Sequence, residues 1–438
     1  MENKDKNKID ENSIKNIEKN DDKSVDSKKA SQTPKIQPRK SNIALGKSKF
    51  GFPGPKKTAN LSIELLAKDY DFYVRASASN KTMGTLKSYS YNTFHGLFKE
   101  VNEDKIIVVG QIKKPASSKM KAWPKISYFG IFDGHGGEGC SEFLKNNFLN
   151  YLTENKNFPF DIKTSLTESF EKAEEEFFKL KCGEDLDHSD KSGSCALVIL
   201  LFDNKIYIAN IGDSRAIMSM NGGTKIKQLT NDHKPDNPKE FERLMKNGSK
   251  VYGDDNDDPH RDPSKLNFIK DKAELEKIKA INKTSEEIVF REYPSDLAVT
   301  RTIGDIKVKK KEFGGKKGSI INKPDIFIHD INSTDDFVVM GCDGIFDDLS
   351  NQEVSDAAWL VFKNESKEKN YDIHELTQDA CDLIIKYGLE KKTSDNLSCI
   401  VIGFEGLEKY LKNKLNKEKV NSSLNNFKKN FKKSQTIK

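Results

Sequence analysis

No stretch of this 438-residue chain approaches the ~20 consecutive apolar residues that a membrane-spanning helix needs. Its first residues hold no apolar run of the signal-peptide kind, so no secretory leader is expected. Glu2 follows Met1, where N-myristoylation would need glycine. Cysteine is scarce: Cys140, Cys182, Cys195, Cys342, Cys381 and Cys399 include no C-x-x-C pair, which leaves zinc only through unusual spacing. Cys195, Cys342 and Cys399 lie inside apolar runs, as buried reduced thiols of an intracellular protein do. A cytoplasmic location is expected, with the nucleus also open.

A strong excess of either charge is missing too, because the net +6 is unevenly spread. Residues 1–50 carry +5 and residues 406–438 carry +8, so the body between them is at −7. An acidic body argues against nucleic acid as a partner and suits a protein that gathers carboxylates around cations.

What is present divides into three parts. Residues 1–88 are read as an N-terminal extension, rich in Lys and Asn and largely disordered, since its first sixty residues cannot bury enough apolar area to offset ordering entropy. Within it, "LSIELLAKDYDFYV" can form one short helix. Residues 89–405 hold the apolar content and form the expected domain. Residues 406–438 are a basic tail; an amphipathic helix on a membrane surface, or nuclear targeting, is the alternative to a solvated tail.

Inside the domain, "DKIIVVGQI", "ISYFGIF", "CALVILLF", "KIYIANIG", "DFVVMGC" and "LSCIVIGF" read as strands, several buried on both faces. Helical spacing begins at residues 138, 163, 237, 351 and 373, with Asn237 as N-cap, Pro238 in the first turn and Gly248 as the stop of the third. Strands come in groups and helices in pairs, which favours packed sheets with helices outside over a doubly wound parallel sheet. Residues 252–296 break the rhythm as a polar insertion with one helix. Their "DDNDD" run lacks the central Gly and closing Glu of a calcium-binding EF-hand.

The strands are bordered by acids. Glu103 and Asp104 precede one; Asp133, in "FGIFDGHGG", ends another; Asp213 and Asp343 end two more, and Asp395 precedes the last. Each alone reads as a turn residue. Together they place at least five carboxylates where apolar sheets open to solvent. Crowded acids repel, and hard divalent cations such as Mg²⁺ or Mn²⁺ compensate them. Spacing by itself does not make these ends converge.

Seven segments in order carry a resemblance: "GLFKEVNED", "FGIFDGHGG", "SGSCALV", "ANIGDSRA", "LAVTRTIGD", "VVMGCDGIFD" and "TSDNLSCIVI". Across residues 90–405 the chain resembles the metal-dependent serine/threonine protein phosphatases of type 2C. The resemblance implies an α+β fold, a β-sandwich of two antiparallel sheets flanked on both outer faces by pairs of helices in an αββα four-layer arrangement. It implies that water activated at a centre of two Mg²⁺ or Mn²⁺ ions hydrolyses phosphoserine and phosphothreonine. Asp133 would bridge the ions, and Glu103, Asp343, Asp395 and the Gly134 carbonyl would complete their shells. Asp213, with Asp343 and Asp347, would hold a weaker third ion. Asp104 and Asp305 would support the site, and His135 would be the general acid for the leaving oxygen. Phosphorylated proteins are the implied substrates of an expected monomer.

Two departures stand out. Lys99 occupies the position where the family usually has Arg, giving charge to a phosphate without a bidentate fork. The 252–296 insertion falls where the family has a flap beside the site. Two alternatives stay open. One is a catalytically inactive scaffold of the same fold that binds phosphoproteins, which the presence of Glu103, Asp133, Asp343 and Asp395 counts against. The other is an enzyme acting on a small phosphate ester.

Overall fold

Alternation along the strands explains the architecture. In Ile126–Phe132 and Ala196–Phe202, side chains of successive residues point to opposite faces. Phe129, Ile131, Leu197 and Ile199 share one core cluster with Met218, Val339 and Ile400 of a second sheet and with Trp359 and Ile384 of two helices, Asn351–Asn364 and Ile373–Lys391. Tyr128, Phe132, Val198 and Leu200 face the other way. They pack with Phe148, Phe170 and Phe177 of the helices Gly139–Thr153 and Ile162–Lys181. Runs that read as apolar on both sides are therefore buried on both sides.

The computed structural model describes residues 74–116, 118–183, 188–254, 263–282, 288–364 and 372–417. The helix expected from residue 61, the acidic run from residue 255 and the tail after residue 417 lie outside them. The two large sheets are antiparallel throughout. One runs in the order Ser77–Ala78, Ser88–Phe94, Leu397–Gly403, Asp335–Gly341, Arg215–Met220, Lys225–Gln228. The other runs Asp325–Asp330, Lys205–Ile211, Ala196–Phe202, Ile126–Phe132, Lys105–Val109. Mixed helix and antiparallel sheet is the class expected from sequence.

Helix starts follow local chemistry. The side chain of Asp161 accepts from the N–H of Thr164, that of Asn237 from Lys239, and that of Asp372 from His374. Gly248 sits at φ +72°, where the helix Pro238–Lys246 has ended.

Three differences from expectation have physical causes. The strand Ser88–Phe94 hides its register behind serines, which are buried because Ser88 Oγ meets Thr377 Oγ1 at 2.6 Å and Ser90 Oγ donates to the Thr377 carbonyl at 2.7 Å. With Ser77–Ala78 paired to it and Arg75 in ion pairs with Asp379 and Asp382, folded structure begins well before residue 89. At the other end, residues 405–417 are helical and bury Leu407 and Leu411 in the main core, so the body continues past residue 405. The insertion is richer than one helix. Lys250–Asp254, Phe268–Ile269 and Val289–Tyr293 form a small sheet beside the helix Lys272–Asn282, around a separate core of Phe241, Leu244, Val251, Ile269, Leu275 and Phe290.

Candidate active site

Register brings the acids together. Lys105 pairs with Phe132, so Asp104 and Asp133 leave their strands at the same sheet edge. Ala196 pairs with Ile211, which places Cys195 and the turn of Asp213 at that edge as well. Asp213 then lies on the link into the second sheet, where Arg215 pairs with Gly341 and Gly341 with Cys399. Asp343 follows that strand and Asp395 precedes Leu397–Gly403. Seven strand ends from two sheets thus open onto one place.

The carboxylates there repel one another. Burial first, and then the charges of Asp343, Asp104, Asp213 and Asp395, push the Asp133 carboxyl well above the usual carboxylate range. Asp343 is raised in the same way, by burial and then by Asp213, Asp395 and Asp347. Asp104 is pushed up to about 6 by burial, partly relieved by hydrogen bonds from Ser398 and Cys342. Asp213 is raised by burial, with Lys234 opposing.

Such a cluster is suited to cations. Among the described residues, the buried Oδ2 atoms of Asp104 and Asp133 have no hydrogen-bond partner. Ligand atoms of Asp133, Cys195 and Asp213 lie within 4.8 Å of one another. Oxygens from acids suit hard divalent ions; the Cys195 thiol, whose ionisation burial resists, offers Sγ to Asp213 Oδ1 at 3.5 Å instead.

The remaining expected ligands are near but otherwise engaged. Glu103 Oε1 accepts from the N–H of Gly137 at 2.6 Å. Asp395 Oδ1 accepts from the N–H of Asn396 at 2.7 Å and lies 3.2 Å from Lys99 Nζ. Burial lowers the Lys99 ammonium, but Asp395, Glu103 and Asp343 outweigh it and raise it overall. Asp347, whose charge acts on Asp343 and Asp213, meets Lys234 Nζ with both oxygens, at 2.6 and 2.8 Å.

The turn "DGHGG" answers to close packing. A Cβ on Gly134 would stand 2.5 Å from the Glu103 carbonyl oxygen. His135 follows, in a two-residue strand paired with Gly193–Ser194. Its Nε2 lies 3.0 Å from both oxygens of Asp305. Burial disfavours the imidazolium, but the Asp305 charge and hydrogen bond outweigh it, and the His135 pKa is raised. Asp305 is itself held by Thr302 Oγ1 at 2.6 Å, and burial notwithstanding its carboxyl is lowered by His135. The pair fits only because residue 193 is glycine: a Cβ there would lie 2.2 Å from Asp305 Oδ2 and 2.4 Å from His135 Nε2.

Sequence reasoning missed Lys234 and Asn396. Lys234 also reaches Asp213 Oδ2 at 3.6 Å, joining two acids from distant segments. Asn396 Oδ1 accepts from the N–H of Glu103 at 2.9 Å, and its amide donates to the carbonyls of His95 and Val101. Its place directly after Asp395 was the available signal. Lys234, in "NDHKPDNP", offered none, because its partners are set only by the fold.

Comparisons with known proteins point to one family. The family described as Protein phosphatase 2C matches residues 95–397. A probable protein phosphatase 2C 27 of Arabidopsis thaliana is 28% identical over 309 residues, 70% of this chain and 66% of the relative. A second Arabidopsis thaliana relative, probable protein phosphatase 2C 22, is covered over 58% of its length, so the chain spans under two thirds of these plant proteins. Protein phosphatase 2C 1 of Paramecium tetraurelia is 27% identical over 68% of this chain and 93% of its own. Among solved structures, a serine-threonine phosphatase 2C from Toxoplasma gondii superposes with a TM-score of 0.53 at 18% identity, over 75% of this chain and 98% of that one. That likeness speaks for the fold. With more than half of its length matched in one continuous segment, the chain belongs to the protein phosphatase 2C family.

Proposed function

We propose that this chain is a metal-dependent protein serine/threonine phosphatase. One observation carries the reading: buried, mutually repelling carboxylates with unpartnered oxygens meet at one sheet edge, beside a histidine held by a carboxylate. A protein without cations to place there would have little reason to bury Asp104 and Asp213 and to crowd the half-buried Asp133 and Asp343 against them.

Asp133 would hold two ions, with Glu103, Asp343, Asp395 and the Gly134 carbonyl completing their shells and Asp104 supporting Asp133. Asp213 and Asp343 would serve a weaker third. Bound Mg²⁺ or Mn²⁺ supplies positive charge that lowers the pKa of water and offsets phosphoryl oxygens. The chain's residues do the rest. Lys99, at the rim, attracts the phosphate as a point charge, without the fork an arginine would offer. His135 carries a proton on its imidazole, kept there by Asp305, and delivers it to the departing serine or threonine oxygen. Asp305 engages Nε2, which leaves Nδ1 as the ring nitrogen that carries the proton to be delivered. The substrates would be phosphorylated proteins, met by a monomer in the cytoplasm or nucleus.

Purified full-length protein with Mn²⁺ should release phosphate from a phosphothreonine peptide, and chelation should stop it. Asp133→Ala should lose at least about a thousandfold in kcat while keeping its unfolding transition. Normal turnover by that variant would sink the reading, and a scaffold function would replace it if the chain bound phosphopeptide without hydrolysis.

A further inference from the structure

Exposed apolar side chains are not spread evenly over this protein. Among the described residues eight large hydrophobics are exposed, and three of them, Leu97, Phe98 and Val101, fall within five positions of one loop. Phe98 is 64% exposed and Val101 54%. Single exposed apolar residues are ordinary; three on one turn are not. The same loop carries Lys99, whose ammonium lies at the acidic cluster beside Asp395.

The loop is held in place. The Asn396 side-chain amide donates to the His95 carbonyl at 3.0 Å and to the Val101 carbonyl at 3.1 Å, so a single residue ties both ends of the turn. His95 Nδ1 lies 3.1 Å from the Lys99 carbonyl oxygen, bracing the middle. Asn396 is the neighbour of Asp395, so the ties run straight to the site. Apolar groups on a braced turn lose little freedom when a partner covers them, which makes their burial effective.

We infer that Phe98 and Val101 form a specificity surface for phosphopeptides with a large apolar side chain within two residues of the phosphorylated one. This rests on the phosphatase reading above. The occupant follows from charge and adjacency: Lys99 attracts the phosphate, and exposed Phe98 and Val101 flank it on the same braced loop, where the residues next to the phosphorylated one of an extended peptide pass. An acidic or strongly polar flank would be disfavoured, by the apolar rim and by the carboxylates beneath it.

The test uses full-length protein with Mn²⁺ and two phosphothreonine peptides, one flanked by Phe and Leu, the other by Gly. The wild type should turn over the apolar peptide with a KM about ten-fold lower and similar kcat. Phe98→Ser and Val101→Ser should raise that KM most of the way to the Gly-flanked value. Both should leave the Gly-flanked peptide's kcat and KM, and the unfolding midpoint, unchanged. Equal KM values in the wild type, or a preference that survives in both variants, would overturn the inference while leaving the phosphatase reading intact. A Phe98→Ser effect on sedimentation mass alone would overturn it in favour of a contact between copies. Failure to hydrolyse either peptide would take down the phosphatase reading and this inference together.

Discussion

His135 Nε2 is equidistant, at 3.0 Å, from the two carboxylate oxygens of Asp305, 170 positions away in sequence. Burial would discharge the imidazole, and the carboxylate overrides it. The proton therefore stays on His135 to a higher pH than on an ordinary histidine. A general acid must be protonated, so activity should fall as pH rises through this raised pKa. In Asp305→Asn the supporting charge is gone and burial wins. The alkaline limb of the pH profile of kcat should then move to lower pH. A limb that stays in place would separate Asp305 from the proton.

Gly193→Ala probes the same pair through packing. The new methyl would collide with Asp305 Oδ2 and His135 Nε2 together, at 2.2 and 2.4 Å. Neither partner can retreat freely, since Thr302 holds one and the strand pairing holds the other. We expect kcat to drop about a hundredfold with Mn²⁺ affinity by calorimetry unchanged. Equal losses in both would mean that the turn supports the acids rather than the histidine.

Stability should carry a separate pH signature from Glu240. This carboxylate is buried, which alone would raise its pKa, yet Arg301, Thr300 and Arg243 bring it down to about 2. The folded pKa lies below the unfolded one. Its stabilisation is thus complete above about pH 4.5 and disappears as pH falls toward 2. At pH 3 the loss from this group is about 2 kcal/mol. Glu240→Gln should be less stable than the wild type at pH 7 and lose about 2 kcal/mol less between pH 6 and pH 3, measured by urea unfolding. Parallel losses in the two proteins would show that Glu240 is not depressed.

How much of this was readable beforehand depends on what each residue needed. Strands buried on both faces announce themselves through uninterrupted apolar residues, as in Ala196–Phe202. Ser88–Phe94 does not, because its inward serines are satisfied by Thr377, a partner nearly three hundred residues away. Strand ends identified the acids as a set. Their convergence needed register, which a run of apolar residues does not specify. The resemblance supplied the roles of Asp133 and His135, and the fold brought them to one edge. The resemblance also implied Asp347 beside a weaker third ion, and in the structure both its oxygens contact Lys234. That ion pair joins residues 113 apart and left no trace in local pattern.

Lys234 leads to the last prediction. Its ammonium contacts both oxygens of Asp347 and stands 3.6 Å from Asp213, serving two acids as one counter-ion. Burial would lower its pKa, but Asp213, Asp347 and Asp343 raise it strongly. Lys234→Met keeps the stem and removes the charge. Asp213, which is buried, then loses its main relief, while the half-exposed Asp347 is screened by solvent. Metal-free Lys234→Met should therefore lose about 2 kcal/mol at pH 7. Added Mn²⁺ should restore more stability to the variant than it adds to the wild type, because a divalent ion can take over the vacated role. Urea unfolding of both proteins, with chelator and with Mn²⁺, reads the difference directly. An identical Mn²⁺ increment in the two would show that the lysine and the cations act on separate acids.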